Sequence, residues 1–238
     1  MRRLTRGRFT LRTAKSEGDM ARALELRTRA FGLAAPDGDA FDARCTHVLV
    51  EDGGDLVACY RLLPLTPDRV EESYAAQFYD LTGLRGFPGP MVEMGRFCIA
   101  PDRHDPDILR MAWGGVAAFV EGTGAQMLFG CSSFRGVAPA PYADAFALLR
   151  QAHLAPQQWQ PGVRAAQTYP YAEDARAPDL RAAMTTMPPL LRSYLLMGGW
   201  VSDHAVIDAH MNTLHVFTGL EISAIPPGRA RLLRALSG

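Results

Sequence analysis

The 238-residue sequence predicts an α/β fold with a mixed central sheet flanked by helices. Three observations predict it. Short β-rich runs alternate with stretches of helical period along the whole chain. Residues 46–65 (THVLVEDGGDLVACYRLLPL) place two β-rich runs around Asp52-Gly53-Gly54-Asp55, a tight hairpin signal. Apolar runs such as QMLFGCSSF (126–134) read as buried strands. With 48% hydrophobic residues the chain can fill one sizeable core.

Residues 8–13 (RFTLRT) alternate and read as a short strand. Ser16 opens a helix over SEGDMARALELRTRAFG. Ser16 caps it, Glu17 and Asp19 suit the first turn, Met20, Ala23, Leu24 and Phe31 fall at helical spacing, and Gly32 ends it. The polar loop PDGDAFD (36–42) follows, then the hairpin. Residues 71–80 read as a helix, RGFPGP (85–90) as a breaker, and VEMGRFCIAP (92–101) as the next strand. After the loop at 102–107, ILRMAWGGVAAFVEGTG is an apolar helix and QMLFGCSSF a strand. Residues 138–153 read as helical, and 155–187 as an irregular insertion or lid. In the tail, 188–238, a proline starts a helix that ends at Gly198-Gly199. Two β-like runs around Met211-Asn212 complete the sheet, and the basic helix GRARLLRAL closes the chain. The whole reads as one domain, 1–238, without internal repeats.

Composition excludes several classes. Lys+Arg and Asp+Glu balance at 25 each, which argues against a nucleic-acid binder. The basic start, MRRLTRGRFTLR, is not followed by the apolar run of a secretory signal. No segment approaches the roughly 18 unbroken apolar residues of a membrane helix. Cys45, Cys59, Cys98 and Cys131 are scattered and form no C-x-x-C, as expected of reduced thiols in a cytoplasmic protein. The basic N-terminus is either a solvated arm or a peripheral contact with anionic lipid.

The strand at 92–101 carries two charges, Glu93 and Arg96, among Val92, Met94, Phe97 and Ile99. Glu93 is either a proton acceptor, its carboxyl pushed up by apolar neighbours, or half of a buried ion pair with Arg96 or Arg61. The two charges are three apart, so on a regular strand they point to opposite faces. They share a cleft only if the strand bulges, and Gly95 permits a bulge.

Asp39-x-x-Asp42, Arg61 in YRLLP and Glu93-x-x-Arg96 in VEMGRF resemble motif elements of the GNAT acyltransferases. The branch they resemble includes the acyl-homoserine lactone synthases. EMGRFCIAPDRHDPDILRMAWGG, LFGCSSFRG, PPLLRSYLLMGGWVSDHAVID and HVFTGLEI, in that order, resemble more narrowly the ornithine Nα-acyltransferases that make lyso-ornithine lipid. The likeness spans roughly residues 10–228. It implies a GNAT-like fold splayed at strand 91–100. It implies transfer of a 3-hydroxyacyl group from acyl carrier protein to the α-amine of L-ornithine. No cofactor is bound permanently in this reading, and no metal. The loop PDRHDPDIL lacks the glycines that cradle a coenzyme A pyrophosphate in ordinary GNAT enzymes, which favours a carrier protein as donor.

Amide formation from a thioester needs a neutral amine, a proton acceptor, donors for the oxyanion and two substrates held together. The resemblance makes Glu93 the catalytic base. Arg61 and Arg96 are candidates for the acceptor's carboxylate. Asp39, Asp42, Asp203 and Asp208 are candidates for its ammonium, with Asp42 favoured because it follows an aromatic as in the synthase motif. Cys98 is nearest in register to backbone donors freed by a bulge. Arg103, His104 and Arg110 are candidates for docking the acidic carrier and its thioester arm. Met94, Phe97, Met111, Trp113, Leu128 and Phe129 either line an acyl tunnel or simply pack the core.

Other signals weigh less. His204, His210 and His215 lack metal-ligand spacing. His47-x4-Asp52 matches a glycerolipid acyltransferase dyad but runs along a predicted strand. Cys131-Ser132-Ser133 has no nucleophile elbow, and Trp113-Gly114-Gly115 lies inside a helix. Two rival readings remain: a lactone synthase using S-adenosylmethionine, and a non-catalytic module that binds acyl carrier protein or lipid.

Overall fold

The computed structural model describes residues 2–237. In chain order the elements begin with β1 (Leu4–Arg6), β2 (Phe9–Thr13), α1 (Glu17–Phe31), β3 (Thr46–Asp52), β4 (Asp55–Leu65), β5 (Tyr79–Asp80), β6 (Met91–Ile99) and α2 (Pro106–Thr123). They continue with β7 (Met127–Arg135), α3 (Ala143–Ala152), β8 (Gly162–Val163), β9 (Thr168–Tyr169), α4 (Leu180–Thr186) and α5 (Pro189–Leu196). The last are β10 (Trp200–Val201), β11 (Ala205–Asp208), β12 (Thr213–Glu221) and α6 (Pro227–Ser237). The chain forms two compact units. One holds the residues up to Pro64, Val92–Ala125 and the segment from Pro226; the other holds Leu65–Met91 and Gln126–Ile225.

In the first unit the strand order is β1-β2-β3-β4-β6, antiparallel from β1 to β4. The β3–β4 turn is built as the sequence demands: Gly53 (φ 59°) and Gly54 (φ 103°) take the positive φ of a two-residue hairpin. A second hairpin, β1–β2, turns at Gly7 (φ 56°) and escapes sequence reading because β1 has only three residues. Ser16 Oγ accepts the Asp19 N–H at 3.1 Å to cap α1, and Gly32 (φ 68°) ends it. The buried face of α1 runs through Ala23, Leu26 and Arg27, while Met20 and Leu24 stay half-exposed. Ala23 and Leu26 pack on Leu49, Cys59, Cys98 and Ala100, which fixes α1 on one face of the sheet.

The opposite face carries α2, where the Tyr60 hydroxyl donates to the Ala112 carbonyl at 3.0 Å. Gly115 is there because nothing larger fits: a Cβ would sit 2.5 Å from both the Leu11 side chain and the Tyr60 hydroxyl. At Gly114 a Cβ would meet the Leu236 carbonyl of α6 at 2.7 Å. Gly115→Val is expected to lower stability by about 2 kcal/mol through overpacking. Gly122→Ala, with open space around the added methyl, should raise it by about 0.5–1 kcal/mol. Urea-unfolding midpoints of the two variants, moving in opposite directions, check this.

In the second unit the order is β7-β12-β11-β9, with β10 also paired to β12, all antiparallel. Its core gathers Phe134, Phe146, Tyr171, Leu191, Leu214 and Val216. Gly198 (φ 91°) follows α5, and Asn212 (φ 49°) turns β11 into β12. The segment 155–187 contributes β8, β9 and α4. The helix expected over 71–80 is absent. Two short 3₁₀ turns, Pro67–Glu72 and Ala75–Gln77, lead instead into β5. The reason is tertiary: fully buried Tyr79 pairs with Val163 and donates its hydroxyl to the His215 carbonyl at 2.8 Å. Among the described residues no helix is long and apolar enough to cross a membrane.

Candidate active site

The charged strand is where the first unit departs from regularity. Arg96 adopts φ 53°, a left-handed conformation that costs a non-glycine residue about 1 kcal/mol. Its consequence is a switch of faces along β6. Phe97 packs against Tyr60 on the α2 side, with ring centroids 5.9 Å apart. Cys98 and Ala100 lie on the α1 side. Before the switch Gly95 faces the α1 side too, since its missing Cβ would lie 3.4 Å from the Arg61 Nε. Glu93, two residues earlier, shares that face by strand alternation. The break sits at Arg96, one residue beyond the glycine that sequence reasoning chose for it.

On this face three arginines and three aspartates alternate in a closed ring. Arg27 Nε donates to Asp37 Oδ2 at 2.7 Å. Asp37 accepts from Arg96 Nε at 3.0 and 3.1 Å. Arg96 Nη2 reaches Asp39 Oδ2 at 3.2 Å. Asp39 takes both terminal nitrogens of Arg61, at 2.5 and 2.8 Å. Arg61 Nη1 also donates to Asp42 Oδ1 at 2.7 Å, and Asp42 closes the circuit to Arg27 at 2.8 and 3.3 Å. The three acids all come from the 36–42 loop and the three bases from α1, β4 and β6. The ring thus clamps a polar loop onto rigid elements. Arg27 is 1% exposed, while Asp39 is the most open acid, with 23% of its side chain accessible.

The electrostatics follow from that pairing. Burial works against the Arg61 charge, but hydrogen bonds from its guanidinium to Asp39 and Asp42 outweigh it and raise its pKa. Burial alone would raise Asp42; hydrogen bonds from Arg27, the Asp39 N–H and Arg61 hold it down to about 2. Asp39 is lowered likewise, against burial, by Arg61 and then Arg96. His47 Nε2 lies 2.9 Å from the Asp42 carbonyl, and burial lowers its pKa, which favours the neutral imidazole. The Cys45 thiol is pushed up to about 11, chiefly by burial; Arg61 lowers it, while Glu93, Asp42 and Asp39 raise it further. Cys45 is therefore a thiol at neutral pH, and its surroundings place Glu93 in one electrostatic neighbourhood with Arg61 and both acids.

These shifts set an acid limit. Asp39 and Asp42 have folded pKa values below an unfolded value of about 3.9, so their stabilisation is complete above pH 4 and is lost as pH falls toward 2. For Asp42 the shift corresponds to about 2 kcal/mol. Asp42→Asn should lose less stability than the parent between pH 4 and pH 2, measured by urea unfolding at each pH.

Of the residues singled out from sequence, Arg61, Arg96, Asp39 and Asp42 meet in the ring, and Glu93, 4% exposed, shares their face. The Cys98 side chain turns into the core under α1, its Sγ 3.6 Å from that of Cys59, and that hydrogen bond with burial raises its pKa. Asp203 lies in the second unit and bonds His204 Nδ1 at 2.6 Å; Asp208 accepts from the Met211 N–H at 3.0 Å. Arg103 is held by Asp52 and Asp55, and Arg110 by Asp107. His104 is exposed on the loop before α2. His47 and Asp52 form no dyad: His47 supports Asp42, and Asp52 pairs with Arg8 and Arg103. A cavity of about 410 Å³ lies between the 6–9 turn and the start of α2, lined by Arg6, Arg8 and Arg110 among others. Sequence reasoning missed Arg27 and Asp37. The signal for Arg27 was available: it fills the gap in the stripe Met20, Ala23, Leu24, Phe31, where an apolar residue belongs.

Residues 23–114, which hold the whole ring and Glu93, match the family model of an acetyltransferase (GNAT) domain. The L-ornithine N(alpha)-acyltransferase of Rhodobacter capsulatus is 31% identical over 239 residues, covering 91% of this chain and 91% of that protein. The L-ornithine N(alpha)-acyltransferase of Brucella abortus is 30% identical over 247 residues, covering 92% and 86%. Among solved structures, FeeM, an N-acyl amino acid synthase from uncultured soil microbes, shares the fold with a TM-score of 0.52 at 12% identity, over 91% of this chain and 93% of that one.

Proposed function

From the premise that the chain belongs to the family of the L-ornithine N(alpha)-acyltransferases, amide-forming enzymes with a GNAT fold, we propose a specific reaction. It transfers a 3-hydroxyacyl group from acyl carrier protein to the α-amine of L-ornithine, in the cytoplasm, giving lyso-ornithine lipid and the free carrier thiol. The amine nitrogen attacks the thioester carbonyl directly, the C–S bond breaks, and the proton that Glu93 accepts from the amine ends on the departing thiolate. Backbone N–H groups around Arg96 and Cys98 are the proposed oxyanion donors.

The observation that carries this reading is the grouping of Glu93, Arg61, Asp39 and Asp42 around Cys45, beside a strand whose faces switch at Arg96. The acceptor is a zwitterion with an additional ammonium, and the ring alternates both signs of charge. Arg96 Nη2 reaches Asp39 through a hydrogen bond of 3.2 Å, and Asp39 is the ring's most open acid. The acceptor's carboxylate takes Arg96 and an ammonium takes Asp39 when that link opens. On the donor side, Arg6, Arg8 and Arg110 around the cavity at the start of α2 suit the phosphate of the carrier's arm, with His104 beside them.

The experiment supplies the enzyme with 3-hydroxyacyl carrier protein and either ornithine or S-adenosylmethionine. Mass spectrometry should find the Nα-amide with ornithine, and thiol release should match it one to one. A lactone from S-adenosylmethionine, or carrier binding without amide from any amine, would replace this reading. Acyl coenzyme A as an equally good donor would remove the carrier from it.

A further inference from the structure

The two chain ends are basic and both belong to the first unit. Residues 1–16 carry five arginines and one lysine with no acid; after Glu221 there are three arginines and again no acid. Arg2, Arg3, Arg229 and Arg231 are exposed and pair with no carboxylate among the described residues. α6 lies on α2, with Ala230, Leu233 and Leu236 half-buried one helical step apart. Its other side carries Arg231 and Leu232, and Leu232 is 60% exposed. A leucine held in water between arginines, on a helix already anchored through its other face, matches a charged interface with an apolar layer behind it.

We propose that the outer face of α6, assisted by the arm at residues 2–3, docks the enzyme on an anionic lipid bilayer. This rests on the proposed reaction in one respect: an amino acid bearing a long acyl chain is an amphiphile, and a bilayer is its natural sink. An acidic carrier protein is the rival occupant. Lipid is favoured because the exposed Leu232 serves an apolar layer, while the arginines proposed for the carrier's arm line the cavity at the start of α2. Each arginine near an anionic bilayer strengthens partitioning about fivefold, and the effect shrinks within a Debye length as salt rises.

The test is co-sedimentation of the full chain with vesicles of equal parts phosphatidylcholine and phosphatidylglycerol, against phosphatidylcholine alone. Binding is expected only to the mixed vesicles, with release at high salt. Arg229→Glu/Arg231→Glu should lower partitioning at least tenfold, Arg229→Lys/Arg231→Lys should preserve it, and Leu232→Glu should weaken it. Arg2→Glu/Arg3→Glu provides a second reading that leaves α6 untouched. Equal binding to both vesicle types, or unchanged binding of both charge-reversed proteins when circular dichroism shows them folded, overturns the proposal. So does release from mixed vesicles by excess acyl carrier protein, which would assign the face to the carrier. Vesicle binding needs no turnover, so loss of the proposed reaction and loss of this surface are separate results.

Discussion

Glu93→Gln should leave the fold standing and lower kcat by about 10²–10⁴-fold, the range that general-base catalysis supplies. Glutamine keeps the shape and the hydrogen-bonding reach of the side chain while removing its ability to take a proton. The 36–42 loop keeps its own ion pairs in this variant, Asp37 with Arg27 and Arg96, Asp39 with Arg61 and Arg96, and Asp42 with Arg27 and Arg61. The loss should therefore fall on kcat, with KM for the acceptor little changed, and the acidic limb of the pH–rate profile should disappear. Near-normal turnover with an unaltered profile would make Glu93 a structural charge and leave the amine to lose its proton to water.

Arg27→Met should strongly destabilise the first unit. Arg27 is 1% exposed and serves both Asp37 and Asp42, so its removal leaves two carboxylates short of a partner. Breaking a buried pair from one side costs about 3–5 kcal/mol, most of it from the charge left behind. The double variant Arg27→Met/Asp37→Asn, which removes one stranded charge as well, should recover part of the loss. Unfolding in urea measures both. A cost below about 1 kcal/mol would mean that the loop is held by its backbone and that the ring serves substrate alone. KM for the acceptor should rise in the single variant, because Arg96 loses the neighbour of its own partner, Asp37.

What the sequence disclosed depended on whether a feature had local periodicity or turn chemistry. Gly53-Gly54, Ser16 and Gly32 announce their elements because positive φ and capping are properties of single residues. The pairing of Arg61 and Arg96 with Asp39 and Asp42 was legible as a group of unlike charges, but not as a circuit. The bonds from the Arg61 guanidinium to Asp39 and Asp42 are not legible in the sequence, because they depend on how the 36–42 loop folds over the sheet. Arg27 hid inside a stripe whose face is rotated toward Leu26, and Asp37 inside a loop of three similar aspartates. Strands of two or three residues, β1, β5, β8, β9 and β10, have too little length for a period to show. The helix expected over 71–80 lost to Tyr79, whose burial and hydroxyl partner are set by residues more than a hundred positions away.

The closed arrangement of six charges also bears on selectivity. At rest every member is satisfied, so a visitor gains nothing by touching only one of them. A monovalent amine that displaced Arg96 from Asp39 would strand the arginine, and a simple carboxylate would strand the aspartate. Only a molecule that brings both signs, at a separation near that of the severed link, replaces what it breaks. Discrimination among amines would then arise from the penalty for half-matched guests rather than from tight embrace of the right one.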